Sequence, residues 1–154
     1  SDAEQKMLEQ AENTSESILK NINYSITDTF ENNKTIQDAL LKPYSPILSL
    51  QTADAISAIK HSFDTIDKVY LFNMSNDVIS TGETPVYSIE DFPDQELISY
   101  VRYVSKYDVN KPMLIKYEDE TSPGKICEKR MLVSVYKIDS SSAMAVLIDS
   151  DAFN

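Results

Sequence analysis

Lys129-Arg130-Met131-Leu132-Val133-Ser134-Val135-Tyr136-Lys137-Ile138, then Asp139-Ser140-Ser141-Ser142, then Ala143-Met144-Ala145-Val146-Leu147-Ile148-Asp149, is the stretch that decides the fold. Branched and aromatic residues crowd both arms, and four polar residues between them supply turn chemistry. Two strands joined by so short a connection pair antiparallel. Met113 to Glu118, opening after Pro112 and closed by Thr121-Ser122-Pro123-Gly124, reads as the strand before them, which makes a three-stranded meander.

Upstream of the meander the period changes. From Asp91 to Lys106 the apolar residues Leu97, Ile98, Val101 and Val104 form one stripe, and Pro93 stands near the start, so this is a helix. Before it, Lys68-Val69-Tyr70-Leu71-Phe72-Asn73-Met74, the turn Ser75-Asn76-Asp77 and Val78-Ile79-Ser80-Thr81 read as a hairpin ending at Gly82. Earlier still, Ser45-Pro46 is an N-cap followed by proline at the first helical position. Ile47, Leu48, Leu50, Ala55, Ile56, Ile59 and Phe63 then continue at helical spacing. A short helical piece, Thr35 to Leu41, precedes Pro43. From about Gln5 to Glu31 the less polar positions Leu8, Ala11, Ser15, Ile18, Ile22, Ser25 and Thr29 step by three and four, which predicts one long helix broken by Asn32-Asn33. Its first half is poor in large apolar residues and is expected to project past the body of the domain.

The order is helix, helix, two strands, helix, three strands. It predicts one α+β domain over residues 1–154, with a long N-terminal helix (1–31), a helical segment (35–63), and a sheet (67–149) carrying an inserted helix near 91–106. The sheet is expected to have five antiparallel strands, with the N-terminal helices on one face and the other face open to a ligand.

Composition narrows the function. Fourteen Lys+Arg against 25 Asp+Glu give a formal charge of -11, so phosphate backbones and anionic lipid are repelled and nucleic acid is excluded as a partner. One cysteine, Cys127, cannot form an internal disulfide or a thiolate metal site. No run approaches the length of a membrane span. Membrane-spanning segments are expected outside these 154 residues.

The helix ending in Ser25-Ile26-Thr27-Asp28-Thr29-Phe30, the run Ile66 to Asn73 leading through a turn into Val78-Ile79-Ser80, and the closing pair Arg130 to Tyr136 and Ala143 to Asp149 carry a resemblance. Together they resemble the Cache-type, PAS-like extracytoplasmic sensor domains of bacterial membrane receptors, including Gram-positive sensor histidine kinases and membrane-bound transcriptional regulators. The resemblance implies a ligand-sensing, non-catalytic domain on the outer side of the cell membrane that passes its signal through terminal helices. A non-catalytic interaction or dimerisation module is the alternative. The arginine-tryptophan-tyrosine run of the amino-acid-binding members is absent, since the chain has no Trp and Tyr100-Val101-Arg102-Tyr103 matches only in part.

Candidate chemistry is sparse. His61 lacks a second imidazole or thiol to complete a metal shell, and Cys127, read as lying in the turn between two strands, lacks a base. The carboxylate clusters lack the spacing of a calcium loop, and two distant glycines, Gly82 and Gly124, exclude a phosphate cradle. No metal, cofactor or catalytic residue is expected. Tyrosine offers an apolar face with a hydroxyl, which suits a small polar ligand. With 12 lysines but only Arg102 and Arg130 as planar forks, an anionic group is expected on one of these arginines. The expected ligand-binding residues are Tyr70, Phe72, Tyr100, Arg102, Tyr107, Lys116, Arg130, Ser134 and Tyr136, set between the open sheet face and the connection from Tyr87 to Tyr107. The near-heptad stripe through Leu8 and Ala11 adds the expectation of a parallel homodimer.

Overall fold

The computed structural model describes residues 1–14, 16–83, 86–107, 113–122 and 125–149, without the side chains of 11–14, 17–19, 113–122 and 125–130. The chain runs α1 (Asp2–Thr14), α2 (Glu16–Asn32), α3 (Lys34–Leu41), α4 (Pro46–His61), β1 (Ile66–Asn73), β2 (Val78–Thr81), α5 (Gln95–Tyr107), β3 (Met113–Ser122), β4 (Lys125–Lys137) and β5 (Ser142–Asp149). Local chemistry starts three of the helices. Asn33 accepts a hydrogen bond from the Ile36 N–H at 3.1 Å, Ser45 from the Leu48 N–H at 3.2 Å, and Asp94 from the Leu97 N–H at 3.0 Å, each satisfying a donor that the first helical turn leaves open.

The strands form an antiparallel sheet in the order β2-β1-β5-β4-β3. β5, last in the chain, lies in the middle, and seven of its eight residues are buried. Its side chains alternate. Met144, Val146 and Ile148 join Leu71, Val69, Leu132 and the isoleucines of α2, α3 and α4 in one core. Ala143, Ala145 and Leu147 join Phe72, Ile79, Val133, Val135 and the α5 stripe in another. That continuous apolar run is what a strand covered on both faces requires.

Three expectations need correction. The sheet has no open face, because Leu97, Ile98, Val101 and Val104 of α5 and Phe92 fill the side opposite the N-terminal helices. A helix with such a stripe must bury it, and the sheet is the apolar surface within reach. The stretch read as one helix is helical over Asp2–Thr14 and Glu16–Asn32, and residue 15 lies outside the described residues. α1 does not project free of the body: Leu8 packs against the helix-side core and α1 lies beside β3. Cys127 is in β4, opposite Asp119, and not in a turn.

The β1–β2 turn is held from two sides. Asp77 takes the one positive φ among non-glycine described residues, 55°, a conformation aspartate tolerates, and its carboxylate accepts a hydrogen bond from the Ile89 N–H at 2.9 Å. Asn73, buried at the end of β1, donates toward the carbonyls of Ala39 and Leu40 at 3.4 and 3.5 Å and accepts from the Asn76 N–H at 3.2 Å. The hairpin is thereby fixed to α3 and to the segment leading into α5.

Candidate functional site

β2 is four residues long and stops at Thr81, while its neighbour β1 extends back to Ile66. The ladder pairs Tyr70 with Thr81 and goes no further. Where β2 ends, the end of α4 and the segment before α5 border a cleft of about 370 Å³. Gly82 sits against α4, where an added Cβ would lie 3.5 Å from the Ser57 Cα, so the backbone there passes close to the helix and forms one wall.

Three aromatic rings line the cleft. Tyr87 is placed by a two-way backbone bridge to Ile79, with N to O distances of 3.0 and 2.8 Å. Phe92 is fixed from outside by Gln95, whose amide donates to the Phe92 carbonyl at 2.7 Å and to the Ile89 carbonyl at 2.9 Å. Phe92 stands edge-on to Tyr87, 5.5 Å between centroids and 80° between planes. The third ring, Tyr70, comes from β1. Perpendicular rings set the positive edge of one against the negative face of the next, an arrangement that holds all three in place.

Charged groups of both signs stand around this apolar wall. Lys60 and His61 come from the last turn of α4, Lys68 from β1, Glu83 from the turn after β2, and Asp94 from the cap of α5. His61 Nδ1 is 2.8 Å from the Ser57 carbonyl oxygen and 3.2 Å from its hydroxyl, which fixes the ring against its own helix. Glu83 is positioned through its backbone: its N–H donates to Thr81 Oγ1 at 3.0 Å, and that hydroxyl donates to the Glu83 carbonyl at 2.9 Å. The cations come from α4 and β1, and the carboxylates from the residues after β2 and the cap of α5. That arrangement can orient a molecule with unlike charges at its two ends. Among the described residues, no three His, Cys, Asp or Glu side chains converge as a metal site.

Of the residues singled out in the sequence whose side chains are described, Tyr70 lines the cleft, and Phe72 is buried behind it with its ring centroid 5.9 Å from that of Phe92. Tyr100 packs half-buried on the α5-side core. Arg102 and Tyr107 point to solvent from α5. Ser134 and Tyr136 lie on the face covered by the N-terminal helices, since Val135 between them joins the α5-side core and Tyr136 the other. The reading that put Tyr70, Phe72, Ser134 and Tyr136 on one face is corrected by this alternation. Tyr136 lines a separate cleft of about 380 Å³ between α2 and the end of β4, and burial raises its pKa above the ordinary tyrosine value, opposed by a hydrogen bond with Ser134. Lys116 and Arg130 pair across β3 and β4 in the backbone register, and their side chains lie outside the described residues.

Sequence reasoning passed over Lys60, Lys68, Glu83, Phe92 and Asp94. Asp94 had a legible signal as a cap. The others had none, because their meeting depends on how far β2 runs beside β1.

No family model matches the sequence, and no curated protein sequence does. Among solved structures, the chain is similar to the sensory domain of the Campylobacter jejuni chemoreceptor Tlp3 (CcmL) with isoleucine bound, at 14% identity and a TM-score of 0.46, over 97% of this chain and 64% of that one. It is also similar to the Tlp3 ligand-binding domain in complex with 4-methylisoleucine, at 13% identity and a TM-score of 0.45, over 96% of this chain and 61% of that one. The complex with L-valine gives 13% identity and a TM-score of 0.41, over 97% and 64%. The chain spans less than two thirds of the length of these sensory domains.

Proposed function

We propose that the chain is a non-catalytic ligand-sensing domain that takes a small zwitterionic molecule into the cleft at the end of β2. The observation that carries this is the joint presence, around one cleft, of an aromatic wall, Tyr70, Tyr87 and Phe92, and charged groups of both signs, Lys60 and Lys68 with Glu83 and Asp94. The rings cover the apolar body of the ligand, the lysines receive its anionic end and the carboxylates its ammonium. This replaces Arg102 and Arg130 as the anionic anchor with Lys60 and Lys68.

The finer reading is an extracytoplasmic sensor of a bacterial membrane receptor, a histidine kinase or a membrane-bound regulator. The single thiol and the acidic surface support an extracytoplasmic setting. The output route is supported by α1 lying beside the edge strand β3, which ties the first helix to the sheet. A ligand that draws α4 and the segment before α5 together biases the body against that helix by its differential affinity for the two arrangements.

A thermal-shift screen of compact zwitterions, amino acids and betaines included, tests the reading, because a ligand that binds only the folded chain raises stability by RT ln(1 + [L]/Kd). At least one member is expected to raise Tm, with the rise lost in Lys60→Glu and Tyr87→Ala. A screen without a single shift, or a shift that both variants keep, rules the cleft out.

A further inference from the structure

The outward face of α5 differs from the rest of the surface. Tyr103 and Tyr107 are 48% and 56% exposed and lie against each other, 5.0 Å between centroids. Lys106 Nζ stands 5.2 Å from the Tyr107 ring, and Arg102 is exposed one turn before it. Neither cation has a carboxylate partner among the described residues. Two cations without a carboxylate partner among the described residues, beside two exposed rings, are unexpected on a chain of formal charge -11. The other end of the same strip has the opposite sign: Glu90, Asp91 and Glu96 are exposed and Asp94 is half-buried. The inward side of α5 is already occupied by the sheet.

We propose that this face is the contact between two copies of the chain, related by a two-fold axis that sets the two α5 helices antiparallel. A two-fold contact uses the same patch on both partners, so the patch must complement itself. An antiparallel pairing meets that condition: Arg102 and Lys106 of each copy come beside Glu96 and Asp91 of the other. Each contact is made twice. Ser99 at the middle of the strip leaves room for close approach, and Tyr103 beside it supplies the aromatic surface that interfaces favour at their centre. The helix dipoles oppose each other in the same arrangement. A parallel pairing would bring like charges together. An anionic polymer would be drawn to Arg102 and Lys106 but would have to run over Glu96 and Asp91, on a chain whose net charge repels it.

A 13-residue helix is about 20 Å long at 1.5 Å per residue, and a strip of that length covers less than the roughly 800 Å² per partner of a standard stable interface. The dimer is therefore weak and concentration-dependent, and salt weakens it further. It does not depend on the cleft.

Sedimentation equilibrium of the chain over a wide concentration range tests the proposal, with charge reversals at two exposed positions. Arg102→Glu and Glu96→Arg are each expected to raise the dimer Kd by about tenfold, because attraction becomes repulsion at two equivalent contacts. The double variant is expected to return to within about threefold of the original, since the reversed charges again face opposite partners. Unchanged far-ultraviolet circular dichroism and Tm establish that the variants remain folded. A chain that stays monomeric at all concentrations, a dimer that ignores both single reversals, or a double variant that is not rescued overturns the proposal.

Discussion

Tyr70 and Phe92 meet edge to face, 5.2 Å between ring centroids with their planes at 84°. One ring comes from the middle of β1 and the other from the segment before α5, so this contact joins the sheet to the α5 layer at the edge of the cleft. Phe92 also meets Phe72 and Tyr87 in the same way. Phe92→Ala is expected to cost about 3 to 5 kcal/mol, the range for emptying a buried aromatic site, while Phe92→Leu costs less because most of the volume is kept. Urea unfolding with a fitted midpoint checks both. Equal losses in the two variants would show that ring geometry, and not volume, holds the contact.

Asp94 has two tasks that substitution can separate. As the cap of α5 it accepts from the Leu97 N–H, and as a wall of the cleft it supplies a negative charge. Asp94→Ala is expected to destabilise by about 1 kcal/mol. Asp94→Asn keeps the cap and is expected to stay within a few tenths of a kcal/mol, yet to weaken any cationic ligand as much as Asp94→Ala does. Paired unfolding curves and titrations with a ligand from the screen make the comparison.

Asn73 is 5% exposed and uses its side chain in both directions, toward α3 and toward its own turn. Asn73→Ala is expected to cost about 1 to 3 kcal/mol, because the groups left behind lose their partner. Asn73→Asp is expected to be worse, since a carboxylate oxygen would face the Ala39 and Leu40 carbonyls with no hydrogen to offer. Thermal unfolding of the two variants should rank them in that order.

Tyr136 makes stability sensitive to alkali. Burial disfavours its ionised form and raises its pKa in the folded chain above 10.0, against the opposing hydrogen bond from Ser134. Below pH 10.0 the folded and unfolded chains both keep the proton, and the contribution is intact. Above it the unfolded chain ionises first, so stability falls as pH rises through the folded value. Tyr136→Phe is expected to remove this part of the decline. Urea midpoints measured on both sides of pH 10.0 for the two proteins give the difference, which should appear only on the alkaline side.

The helix stripes, the Ser45-Pro46 cap, the β1–β2 turn and the strands at 129–149 were legible because each depends on neighbours within a few residues. The second covered face was legible in principle: Leu97, Ile98, Val101 and Val104 were identified as a stripe, and a stripe must be buried somewhere. An open second sheet face leaves that stripe with no surface to bury it. The face of Tyr70 relative to Tyr136 could not be read, because alternation within a strand says nothing about the parity between strands. The β1–β5 register sets Tyr70 opposite Ala145, the β4–β5 register sets Val135 opposite the same residue, and Tyr136 consequently turns the other way. The cleft is harder still, as Lys60 and Glu83 meet through the early end of β2.

The central place of β5 also bears on how the chain acquires its structure. β1 pairs with β5 across about 75 intervening residues, as in Tyr70 with Ala145, so the first strand made cannot find its inner partner until the last has been synthesised. Until then the β1–β2 hairpin offers a bare inner edge, and an isolated hairpin is marginal in water. Contacts this distant in sequence slow folding and expose an unpaired edge to other chains in the meantime. Slow collapse in one late step is the expected kinetic behaviour, and chains that stop before Ala143 should aggregate, not form a smaller version of the same sheet.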